Sequence, residues 1–114
     1  MATQKSFHRT DRVSAQLRRD IGELVHSAVR EYGLPSMSVS DVEVTRDLAH
    51  AKVFVTVLDS SKSGDAIAAL HELSKEIRFE LGRRVRMRTV PELHFHYDES
   101  VDRGERIEAL LRKS

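Results

Sequence analysis

The sequence predicts an α+β fold with helices packed on one face of a three-stranded sheet. Three observations predict it. Apolar residues recur at helical spacing in two long stretches. Between them, two shorter stretches alternate at strand spacing and are joined by a short turn, the pattern of an antiparallel pair. A further alternating stretch follows the second helix. The order helix, strand, strand, helix, strand, helix describes two layers around one core. The chain has 114 residues, which suits a single domain spanning 1–114, with 1–8 and 112–114 as expected mobile tails.

The first helix is expected from about Arg9 to Arg30. Val13, Leu17, Ile21, Leu24, Val25 and Ala28 form its apolar stripe, and Gly33 and Pro35 end it. A strand is expected over Ser38 to Thr45, carrying Val39, Val42 and Val44, with a turn at Arg46 to His50. Ala51, Val53, Val55 and Val57 then alternate with Lys52, Phe54 and Thr56, the period of a half-buried strand. Asp59 to Gly64 reads as a loop, with Ser63 as the expected N-cap of a second helix over Asp65 to Leu81. Leu70, Leu73, Ile77 and Leu81 form the second stripe, and Gly82 is the expected stop. The third strand lies within Val85 to Tyr97, with Pro91 marking a bulge, edge or break. A short final helix is expected over Val101 to Arg112.

Charge is balanced in total and uneven in place. Nineteen Lys and Arg oppose eighteen Asp and Glu. From Lys75 to Arg88, however, six basic residues meet two acids, a net of +4 in fourteen positions. The stretch from Glu92 to Glu108 is acidic in turn. A local basic patch on a neutral whole suits docking onto a defined RNA site better than indiscriminate coating of nucleic acid. If Arg84 to Arg88 is extended, Arg84, Arg86 and Arg88 share a strand face while Val85 and Met87 turn inward. Guanidinium groups bind phosphate through a bidentate fork. The plainer expectation is a solvated strand edge. Arg9, Arg12, Arg18 and Arg19 are further phosphate candidates. Against this, Arg19 can simply pair with Glu23 four residues on, which adds little stability.

Other chemistry is thin. Cysteine is absent, so disulfides and thiolate metal sites are excluded. No P-loop, nucleophile elbow or HExxH is present, and no cofactor is expected. No apolar run is long enough to span a bilayer, and the first residues lack a signal-peptide core. A cytoplasmic monomer without membrane contact is expected. His94, His96 and Asp98 are metal-ligand types, but three ligands in a row on one strand cannot surround an ion. Phe54 lies out of phase with the valines of its strand and is a candidate base or protein contact. Phe7 reads as a hydrophobic anchor.

Several segments, taken in order, resemble ribosome-binding factor A, a bacterial small-subunit assembly factor family. They are Asp11-Arg12-Val13, then Val42-Glu43-Val44 with Arg46-Asp47-Leu48 and Ala51-Lys52-Val53. Ile77-Arg78, Glu80-Leu81, Arg88-Thr89-Val90-Pro91-Glu92-Leu93, Phe95 and Asp98-Glu99-Ser100 complete the set. The resemblance covers about residues 6 to 112 and implies a type II KH-like fold. It also implies binding to the immature small ribosomal subunit, help in late maturation of 16S rRNA near its 5′ end, and a part in cold adaptation beside assembly GTPases. The family tends to carry a small residue, any residue and then Gly at a kink in the second helical region. Leu73-Ser74-Lys75 stands there in this chain, with no Gly. The helix is therefore expected to run straighter, or to kink at Ser74 through side-chain bonding to the backbone. The RNA-binding candidates are Arg9, Arg12, Arg18, Arg19, Ser74, Lys75, Arg78, Arg83, Arg84, Arg86 and Arg88. The reading is a non-enzymatic RNA-binding assembly factor. The rivals are a small metal-dependent hydrolase using His94, His96 and Asp98, and a protein-interaction module using Phe54 and the acidic C-terminal helix.

Overall fold

The computed structural model describes residues 9–99, with side chains from Arg12 onward. Its elements are α1 (Arg9–Tyr32), β1 (Met37–Val44), β2 (His50–Val57), a 3-10 turn (Ser60–Lys62), α2 (Ser63–Arg84) and β3 (Glu92–Tyr97). The sheet order is β1-β2-β3, with β1 antiparallel and β3 parallel to β2. Helix α1 lies against β1 and α2 against β3, so both helices cover one sheet face. The expected final helix, Val101 to Arg112, falls outside the described residues.

The apolar stripes do what their spacing dictates. Leu17, Ile21, Val25 and Ala28 of α1 are buried, as are Ala66, Leu70, Ile77 and Leu81 of α2. They meet Val42, Ala51, Val53, Val55, Val57, Leu93 and Phe95 from the sheet in one cluster. Each large aliphatic side chain buried this way is worth roughly 1.5–3 kcal/mol. Leu73 packs only partly buried against that cluster. Helix α1 ends as expected. Gly33 takes φ +63°, and Leu34 N–H donates to the Val29 carbonyl at 3.1 Å, the Schellman closure.

The valines of β1 need a device that their spacing only hints at. Val39 pairs with Val55 but Asp41 pairs with Phe54, so Ser40 is the extra residue of a β-bulge. The bulge shifts the inward phase by one, which lets Val39, Val42 and Val44 all pack on the core. The Ser40 hydroxyl donates to Asp98 Oδ2 at 2.6 Å, tying the bulge to the end of β3.

Three local expectations need correction. Ser63 is not the cap of α2. The 3-10 turn feeds directly into the helix, and Asp59 caps that turn instead, accepting from Ser61 N–H at 3.1 Å. Gly82 does not stop α2, which runs on to Arg84. Its role is close approach, because a Cβ on Gly82 would stand 3.2 Å from Val90 Cγ2. Arg84, Arg86 and Arg88 do not share a strand face. Arg84 is helical, 85–91 is an irregular connection, and β3 begins only at Glu92. Val85, Met87 and Val90 nonetheless pack on the core, so the inward phase exists without the strand.

Candidate nucleic-acid interface

The two helices run antiparallel. Tyr32, at the end of α1, donates its hydroxyl to Glu76 Oε2 at 3.0 Å. Farther along α2, Arg84 Nη1 meets Glu23 Oε1 at 2.5 Å, back toward the start of α1. The N-terminal half of α1 therefore lies at the same end of the molecule as the C-terminal end of α2. The connection 85–91 and the turn 45–49 share that end, since Glu92 N–H bonds the Ala49 carbonyl at 2.9 Å.

This topology gathers exposed cations that the sequence scatters. Arg12, Arg18 and Arg19 come from α1, Arg46 from the turn, Arg83 and Arg84 from α2, and Arg86 and Arg88 from the connection. Arg83 and Arg84 also sit where a helix C-terminus favours positive charge. Arg86 and Arg88 have no hydrogen-bond or ion-pair partner among the described residues. Other candidates are occupied. Arg78 donates through Nε and Nη2 to the Val90 carbonyl at 3.2 and 2.8 Å, clamping the connection onto α2. Arg83 lies 3.5 Å from Glu80. The expected Arg19–Glu23 pair is replaced by Arg84–Glu23, because the neighbouring helix presents its guanidinium first. Arg18 lines a cleft of about 420 Å³ between α1 and β1 whose other wall carries Asp41 and Glu43. The side chain of Arg9 lies outside the described residues.

Ser74 and Lys75 sit apart from this cluster, roughly 13 Å along α2 from Arg84 at 1.5 Å per residue. Helix α2 is one continuous element through them. Ser74 Oγ donates to the His71 carbonyl at 2.8 Å, the kind of bond expected to accompany a kink, but here the helix runs on unbroken. Lys75, Phe79 and Arg83, four residues apart, form an exposed ridge leading to the basic end. Phe79 is 67% exposed, a flat apolar ring between two cations. Sequence reasoning missed Phe79 and Arg46. The fourfold spacing of Phe79 between Lys75 and Arg83 was the available signal for the first.

Toward the opposite end of the helix pair the groove between the helices is acidic, with Arg30 and Lys75 exposed nearby. Glu31, Glu76 and Glu80 line the groove between α1 and α2. Hydrogen bonding to Glu76, then the charges of Glu31 and Glu76, raise the Tyr32 phenol above its ordinary value. At the basic end, the Asp47 carboxyl is lowered, chiefly by the Thr45 hydroxyl bonded to it at 2.7 Å and by Ala49 N–H. These bonds hold the turn while Leu48 takes φ +62°, a conformation that strains a non-glycine residue.

The sequence model described as Ribosome-binding factor A matches residues 9–111. The chain belongs to the ribosome-binding factor A family. Ribosome-binding factor A of Stenotrophomonas maltophilia (strain K279a) is 67% identical over 108 residues, covering 95% of this chain and 85% of that protein. Its counterpart from Xanthomonas euvesicatoria pv. vesicatoria is 66% identical over 108 residues, covering 95% and 83%. The crystal structure of ribosome-binding factor A from Thermus thermophilus is similar at TM-score 0.70 and 28% identity, covering 79% of this chain and 97% of that one. A homology model of Thermus thermophilus ribosome-binding factor A, fitted into a cryo-EM map of its 30S complex, is similar at TM-score 0.65 and 29% identity, covering 75% and 91%. The expected KH-like α+β architecture is thus that of the ribosome-binding factor A structures. Within this family framework, the missing glycine of α2 is met by an unbroken helix with Ser74 bonded to its own backbone. Among the described residues, no helix is long and apolar enough to cross a membrane.

Proposed function

We propose that this chain binds the small ribosomal subunit through the basic end of its helix pair and assists late maturation of 16S rRNA. Family membership supports the reading, as does a homology model of a relative fitted into the map of a 30S complex. The observation that carries the assignment of the surface is the antiparallel pairing of α1 and α2. It brings arginines from four separate segments to one end and leaves Arg86 and Arg88 unengaged among the described residues. Fixed guanidinium groups position a phosphate backbone, and Phe79 offers a stacking face beside them.

The mechanism is binding energy and needs no chemistry on RNA. A protein that binds one conformer of the immature RNA better than another shifts the population toward it. Release then follows maturation of the subunit or the action of a second factor, which we place among assembly GTPases. Cold adaptation fits the same picture, since misfolded RNA helices persist longest at low temperature. The hydrolase reading is disfavoured by position, because Asp98 is bonded by Ser40 while His94 turns to a different strand. Sedimentation of tagged protein through a low-salt gradient tests the proposal. Co-migration with free small subunits and absence from translating ribosomes is expected. Tagged protein that stays at the top of the gradient refutes it.

A further inference from the structure

The sheet face away from the helices carries a cluster that the RNA reading does not use. His50 opens β2, while Glu92 and His94 lie two apart on β3 and so project on one side. His50 stands in register with Glu92, and Lys52 with His94. The parallel pairing therefore brings His50 to Glu92 and His94, more than forty residues farther along the sequence. His50 Nδ1 lies 3.1 Å from His94 Nε2 and 3.9 Å from Glu92 Oε2, and one ligand atom from each of the three falls within 4.8 Å of the others.

We propose that His50, Glu92 and His94 form a binding site for a divalent transition-metal ion of the zinc class. Two imidazoles and one carboxylate are a donor set that such ions prefer over Mg²⁺ or Ca²⁺. Ligands held tetrahedrally at about 2.0–2.1 Å from zinc stand roughly 3.3 Å apart. The His50–His94 separation already matches that edge, and Glu92 needs only a small side-chain movement. Glu92 and His50 are half exposed, so that movement is unhindered. The site opens on a cleft of about 560 Å³ whose lining includes Lys52 and Glu43. Lys52 opposes a cation there, and Glu43, in register with Lys52 on β1, offsets it. Three protein ligands leave a position open to water. A bound ion would cross-link β2 and β3 directly beside the connection that carries Arg86 and Arg88.

This differs from the row His94, His96 and Asp98 on one strand. The His96 ring instead lies against Phe54, with centroids 5.8 Å apart. The useful partner of His94 sits on the neighbouring strand, which only the parallel register reveals.

Calorimetric titration of the full chain with ZnCl₂ at neutral pH tests the site. We expect one equivalent to bind with Kd tighter than about 100 μM. His50→Gln, Glu92→Gln and His94→Gln should each weaken it by at least about tenfold. His26→Gln and His96→Gln should leave it unchanged. Zinc should also raise the thermal midpoint of the parent and leave those of the three ligand variants unmoved. Circular dichroism confirms that each variant is folded before titration. No binding in this range, binding that survives loss of His50 or His94, or equal loss in the His26 or His96 variant would each overturn the site.

Discussion

The two ends of the helix pair are built from the same two helices over the same core, yet arginines crowd one end while glutamates line the groove toward the other. One end collects Arg12, Arg18, Arg19, Arg46, Arg83, Arg84, Arg86 and Arg88, all exposed. The other has Glu31 and Glu76 in an interhelical groove closed by Tyr32, with Glu80 lining the same groove nearer the basic end, beside Arg83. The near-neutral total thus conceals a local separation of the arginine cluster from a glutamate-lined groove, and salt at cellular strength screens the one from the other beyond about 8 Å. Such a molecule can orient on an anionic surface without binding every anion it meets. The difference also teaches that interface and scaffold are separable: the charged residues sit on the surface, while the apolar stripes hold both ends in place.

The largest expected effect removes the common scaffold. Leu70 is fully buried under the sheet. Leu70→Ala should cost about 2–5 kcal/mol in chemical denaturation, weakening both ends together. A loss well under that range would mean that the helices are held chiefly by their charged side chains.

Next comes the acidic end. Gly33 sits at φ +63° just past Tyr32. Gly33→Ala should cost about 1–2 kcal/mol, the penalty for a Cβ in the left-handed region, with no change in ribosome binding. Between the ends, Lys75→Gly should cost on the order of 1 kcal/mol, because α2 is continuous there. A variant as stable as the parent would show that the helix is already broken near Ser74.

The smallest effects distinguish the ends by pH. The Asp47 carboxyl is lowered in the folded chain, so it contributes stability above its unfolded pKa and loses it as pH falls through the folded value. The Tyr32 phenol is raised, so its contribution is full below the unfolded pKa and is lost as pH rises through the folded value. Asp47→Asn should therefore flatten the acid limb of the stability profile, and Tyr32→Phe the alkaline limb. Exchange of those two outcomes would mean that the bonds at each end are wrongly assigned.

The architecture was legible because it rests on periodicity. The stripes of α1 and α2 and the alternation of β2 placed most of the core on the correct side, though they left out Ala66 and Met37, and Leu73 is only partly buried. What escaped was set by partners distant in sequence. Gly82 looked like a stop, but its lack of a side chain serves Val90 across the connection. The arginines after it looked like a strand, because alternation survives in an irregular segment whose Val85 and Met87 must still reach the core. Glu23 looked like the partner of Arg19, and no local rule could reveal that Arg84 would take it. In the same way, His94 was grouped with His96 and Asp98 along its own strand, while its neighbour in space is His50.

The most direct test of the central claim compares the two ends in one binding assay. Affinity for isolated small subunits is measured across a salt series for the parent, for Arg86→Glu with Arg88→Glu, and for Glu31→Lys with Glu76→Lys. All three proteins are checked for folding by circular dichroism. We expect the arginine variant to bind more weakly and to show a shallower salt dependence, by about 0.7–0.9 in slope for each phosphate no longer neutralised. The glutamate variant should keep the parent slope. A folded arginine variant with unchanged affinity and slope would contradict the claim that the basic end is the surface that meets RNA.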